Sequence, residues 1–135
     1  MTVKVILITH ERIGTALLDT AKITMNESLD HVSLAAINHD DDPDVIFRQL
    51  KRILDKLTKY GDDFLMLTDL IGSTPCNIAQ RLLDTFSENK IAIVTGLNLP
   101  MLLKVLNYRD LPLHNLEEKA IEGGRQGIGS CQPHD

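Results

Sequence analysis

The chain has 135 residues and a formal net charge of −5, with 43% hydrophobic and 24% charged side chains. That describes one globular domain spanning 1–135, large enough to bury a core. The acidic balance without a basic cluster argues against nucleic acid as a partner, and the absence of Trp leaves few rings for stacking bases or flavins.

Val3 to Ile8 is nearly continuous and β-branched, which suits a strand buried on both faces, and it delivers Thr9 and His10 at its carboxyl end. Ile13 to Met25 follows as a helix with Ile13, Ala16, Leu17, Thr20, Ala21 and Thr24 on one face. Val32 to Ile37 reads as a second strand. Asn38-His39-Asp40-Asp41-Asp42 leads into Pro43, with Asp42 as N-cap and Pro43 as first helical residue. Those three aspartates read better as a cap and a solvated loop, complementing the helix dipole, than as a metal site. Apolar residues continue at helical spacing to Lys59. Phe64 to Thr68 forms a third buried strand that stops at Asp69. Gly72-Ser73-Thr74-Pro75 then opens a helix running through Ile78, Leu82 and Phe86. Lys90 to Thr95 is a fourth strand, and Asn98 caps a short helix through Met101 and Leu106. Asn115-Leu116-Glu117-Glu118 resembles a capping box opening the last helix. Gly123, Gly124, Gly127 and Gly129 loosen the tail.

Strands alternating with helices of about three turns require a largely parallel sheet covered on both faces. The expected fold is a three-layer α/β domain with four parallel strands in the flavodoxin-like order 2-1-3-4. In that order strands one and three are neighbours at the point where the winding reverses, the crevice where such folds bind ligands. His10 ends strand one and Asp69 ends strand three, so the topology brings them together.

That pairing carries chemistry. A carboxylate accepting the N–H of a neutral imidazole fixes its tautomer, aims the ring and stabilises the imidazolium. The free nitrogen is then a nucleophile. The turn Gly72-Ser73-Thr74, at a helix amino end, offers backbone N–H groups and two hydroxyls to an anion such as a phosphoryl group. His31, His39, His114 and His134 have no evident partner and read as solvated. Cys76 and Cys131 lack metal-ligand spacing and fit a reducing cytosol better than a disulfide framework. Lys4 interrupts an amino-terminal apolar run already too short for a signal segment or a membrane span. The expected setting is cytoplasmic, without membrane insertion.

At these residues the chain resembles the EIIA component of the mannose-family sugar phosphotransferase system (PTS). The likeness rests on Thr9-His10, on Asp69-x-x-Gly-Ser-Thr-Pro-x-Asn77, on Gly96-Leu-Asn-Leu-Pro-Met-Leu102 and on Gly124-Arg-Gln-Gly127. It implies that His10 is the phosphorylated histidine with Asp69 its partner. It also implies that Gly72, Ser73 and Thr74 form the phosphate loop, with Thr9, Glu11, Pro75, Asn98, Pro100 and Met101 lining the site. Further implications are phosphoryl transfer from an HPr-like carrier to a IIB component or a regulatory target, no metal or organic cofactor, and a homodimer. Ile128 to Cys131 would supply a short antiparallel carboxyl-terminal strand exchanged between subunits. The chain departs from the family pattern twice: Glu11 replaces a glycine directly after the histidine, and Ser73 replaces the second loop glycine. Two other classes compete. One is a receiver-like module phosphorylated on Asp69 with Thr95 as switch residue, weakened because His10-Glu11 stands where a magnesium-binding acidic pair is needed. The other is a non-catalytic binding module.

Overall fold

In the computed structural model, residues 2–87 and 90–133 are described. His134 lies outside them. Four strands, β1 (Val3–His10), β2 (Val32–Ile37), β3 (Asp63–Thr68) and β4 (Ile91–Val94), alternate with α1 (Ile13–Met25), α2 (Pro43–Thr58) and α3 (Thr74–Phe86). Two further helices, α4 (Leu99–Asn107) and α5 (Leu113–Gln126), complete the order. The strands form one parallel sheet in the order β2-β1-β3-β4, as the pattern predicts.

Alternation along each strand divides the core in two. Val5, Leu7, Leu65 and Leu67 face α1, α4 and α5, whereas Ile6, Ile8, Phe64 and Met66 face α2 and α3. The central strands are thus buried on both sides, which explains why they read as unbroken apolar runs rather than alternating ones. Each fully buried aliphatic side chain here stabilises the fold by about 1.5–3 kcal/mol. Residues beyond the carboxyl ends of β1 and β3 therefore project from the most rigid part of the molecule.

Two local expectations need correction. In α1 the inward face is Gly14, Leu18 and Ala21 rather than the face through Ile13, Thr20 and Thr24. Gly14 lies so close to β1 and β2 that an added Cβ would sit 2.5 Å from Thr9 Oγ1 and 2.6 Å from Leu34 Cδ1, which fixes the helix rotation. The hydroxyls of Thr20 and Thr24 instead donate to carbonyls one turn back. The last helix begins at Leu113 after Pro112, not at the Asn115 box, because Leu113 and Leu116 are its buried anchors. Ile128 to Cys131 form no strand within the single chain, where a strand exchanged between subunits has no partner to pair with. Gly129 interrupts the segment and Ile128 is exposed, so nothing in the same chain rewards an extended pairing.

Candidate functional site

β1 runs through His10 itself, which is in register with Ile37 of β2. By strand alternation its side chain belongs to the face shared with Ile6 and Ile8, and Thr9 points the opposite way. Asp69 follows β3 directly. Its Oδ2 accepts two hydrogen bonds from the same residue, one from His10 Nδ1 at 2.8 Å and one from the His10 backbone N–H at 3.1 Å. The carboxylate side chain is 7% exposed and the imidazole 37%. With Nδ1–H committed to the acid, the lone pair is on Nε2, and the accessible ring can present it to solvent. Asp69 Oδ1 is buried and has no hydrogen-bond partner among the described residues. The carboxylate is therefore held dry, where its attraction for a positive ring is stronger than in water.

Beside this pair stands the amino end of α3. Gly72 adopts φ +77°, a left-handed turn that glycine takes without strain. Ser73 is the N-cap at φ −89°, ψ 173°, an ordinary extended conformation, so replacing glycine here costs no backbone strain. Its hydroxyl does not cap the helix; it donates to Leu70 O at 2.6 Å. Of the first-turn amides, Asn77 N–H donates to Ser73 O and Pro75 has none, which leaves those of Thr74 and Cys76 without intrahelical acceptors. Amide donors and the positive end of the helix dipole together suit an anion. Cys76 N–H is a donor that sequence reasoning missed, although its place three residues after an N-cap was readable.

Glu11 sits at φ +44°, the left-handed region where glycine is at ease, at a cost of about 1–2 kcal/mol for a residue with a Cβ. Its carboxylate turns aside: Oε1 accepts from His39 N–H at 2.9 Å and stands 3.4 Å from His39 Nδ1. Its own N–H donates to Ile37 O. The turn after β1 is thereby laced to the loop after β2, an engagement of His39 that the sequence reading did not find. The aspartates of that loop behave as loop and cap residues. Asp41 accepts from Asn38 N–H and Asp42 from Asp44 N–H. His114, also read as solvated, stands 3.4 Å from Glu117 one helical turn on.

The remaining candidates are held by contacts of their own. Thr9 is fully buried and its hydroxyl accepts from Gly14 N–H at 2.9 Å, seating the start of α1. Pro75 is buried in the first turn of α3. Asn98 Oδ1 caps α4 by accepting from Met101 N–H, and its Nδ2 donates to Gly124 O. Met101 is 3% exposed and packs in the core against Gly124. Pro100 lies against Gly127 at the same α4–α5 joint. Just before this joint, Leu97 N–H donates to Thr68 O next to Asp69.

Comparison with known proteins places the whole fold in a family. The family profile described as PTS system fructose IIA component, EIIA-man, matches residues 4–120. The PTS system mannose-specific EIIAB component of Escherichia coli (strain K12) is 28% identical over 131 residues, 95% of this chain. The same stretch is 39% of that relative, so the chain spans well under half the length of the curated relatives it matches. The mannose/sorbose specific IIA subunit from Enterococcus faecalis superposes with a TM-score of 0.81 at 25% identity, covering 100% of this chain and 98% of that one. The EIIA component from Streptococcus agalactiae shares the fold with a TM-score of 0.84 at 24% identity over 95% of this chain and 96% of its own. The profile match over most of its length shows that the chain belongs to the mannose-family EIIA domains of the sugar phosphotransferase system.

Proposed function

We propose that His10 Nε2 carries a phosphoryl group, received from the phosphohistidine of an HPr-like carrier and passed to a IIB component or held as a regulatory signal. In the forward step the Nε2 lone pair attacks phosphorus while the donor's P–N bond breaks, and the donor imidazole leaves with that electron pair. His10 keeps its proton on Nδ1, so the loaded ring is positively charged and faces the Asp69 carboxylate. The phosphoryl oxygens meet the amides of Thr74 and Cys76 at the α3 amino end, with Gly72 allowing close approach. Onward transfer reverses the same events. The observation that carries this reading is the double acceptance by Asp69 Oδ2, which fixes both tautomer and ring direction.

The rival phosphorylation of Asp69 loses ground on the same observation. That carboxylate is nearly buried and has one oxygen committed to His10. A homodimer and a cytoplasmic setting belong to the same proposal. The outer edge of β4 is unpaired in the single chain, and Ile121 and Ile128 are exposed apolar residues beside it. Among the described residues no helix is long and apolar enough to cross a membrane.

The test is incubation of the purified chain with phosphoenolpyruvate, enzyme I and HPr. The expected product is one acid-labile, alkali-stable phosphate per chain, abolished in His10→Ala. Unchanged labelling of His10→Ala, or none of the wild type, overturns the proposal.

A further inference from the structure

α2 and its C-cap carry Arg48, Lys51, Arg52, Lys56 and Lys59 against Asp44 and Asp55, a net +3 in a chain whose total is −5. Both carboxylates are already matched, Asp44 with Arg81 of α3 at 2.8 Å and Asp55 with Lys51 at 2.9 Å. The other four cations, Arg48, Arg52, Lys56 and Lys59, are exposed and have no ionic partner among the described residues. Spacings of four, four and three residues bring them onto one helical face, in a row about 17 Å long. Leu50, Leu54 and Leu57 turn the opposite face to the core, so the row follows the outermost line of the domain. In the sequence the same cations stand apart, and the acidic total hides them. Ile53, 47% exposed, and Tyr60, 80% exposed, flank the row.

The outer line of a helix is convex and offers no hollow to a small anion; a row of unanswered cations along it fits an extended anionic surface. Exposed aliphatic and aromatic side chains beside cations are the composition that settles at the boundary between lipid headgroups and acyl chains. Lysine, which makes up half of the row, is depleted at protein–protein contacts, and this favours lipid over an acidic protein face. Charges are screened over about 8 Å at physiological ionic strength, so the groups that touch the surface decide the attraction rather than the total of −5. We infer that α2 seats the domain peripherally on an anionic lipid surface, with the helix axis parallel to the membrane plane. As the crossover between parallel strands β2 and β3, α2 runs along the sheet rather than across its carboxyl ends, so a surface seated on it does not cap the rim where His10 stands. The inference is independent of phosphorylation at His10.

It is tested by co-sedimenting the full chain with phosphatidylcholine vesicles, with and without about 30% phosphatidylglycerol, at low and at high salt. The expected result is binding to the anionic vesicles alone, lost as salt rises. Arg48→Glu/Arg52→Glu should weaken it by about tenfold or more, and Lys56→Gln/Lys59→Gln should act in the same direction. Arg48→Lys/Arg52→Lys, which keeps the charge, should bind as the wild type does. Circular dichroism of all three variants should match the wild type, because every substituted side chain is exposed. No binding to anionic vesicles at low salt, equal binding to neutral ones, or indifference to the charge reversal would overturn the inference. So would retention on immobilised poly-L-glutamate without retention on the vesicles, which would assign the row to an acidic protein face.

Discussion

His10 and Glu11 are chain neighbours, and each meets a partner of opposite chemistry across the carboxyl rim, yet the two pairs are built differently. His10 joins Asp69 from the two central strands at 2.8 Å, with the acid 7% exposed and a second bond from the same residue's backbone. Glu11 joins His39 from a turn and a loop, with Nδ1 at 3.4 Å and the two side chains 49% and 88% exposed. Proximity is common to both. Only the first has rigid supports on both partners and shelter from water, so only the first fixes a tautomer and a ring direction. The second holds mainly through a backbone amide, and its ionic part is of the kind worth about 0–1 kcal/mol in solution.

Breaking the first pair should have the largest consequence. Asp69→Asn should leave the fold intact but slow phosphoryl uptake by up to about 100-fold, because the ring loses the group that aims it. Single-turnover labelling against HPr measures this, and unchanged rates would remove the orienting role. Gly14→Ala attacks the support both pairs share, forcing a methyl against Thr9 and Leu34. It should lower stability by about 1–3 kcal/mol in chemical denaturation. A change within error would mean that α1 moves freely on β1. Glu11→Gly relieves the left-handed strain while losing the bond to the His39 amide, two effects of similar size and opposite sign. Net stability should change by less than about 1 kcal/mol and labelling should stay within about threefold. A large loss of labelling would show Glu11 acting on the reaction itself. Smallest of all, His39→Ala should alter stability by less than about 0.5 kcal/mol, since the amide that Glu11 uses remains. A greater loss would mean that the exposed imidazole does more than its geometry indicates.

The difference between the pairs also explains what was readable beforehand. Val3 to Ile8 and Phe64 to Thr68 announce central strands by composition, and the winding rules then seat His10 beside Asp69 without any knowledge of side-chain angles. The helix starts at Pro43 and Thr74-Pro75 were equally plain, because proline and its preceding cap act locally. The Glu11–His39 bond was not readable, since it depends on a positive φ at a residue that seldom adopts one. The rotation of α1 was missed for a related reason: a glycine's close approach, not the apolar stripe, decides which face turns inward. At the last helix, burial of Leu113 overrode a plausible polar cap. The resemblance alone brought Met101 to the site, and periodicity could not show that its side chain packs inward against Gly124.

His10 and Asp69 are carried by β1 and β3, the two inner strands of the sheet. Fraying from either margin must consume β2 or β4 before it reaches them, so partial melting has little opportunity to produce a molecule that is folded but inert. Heat inactivation and the loss of secondary structure should accordingly trace a single curve.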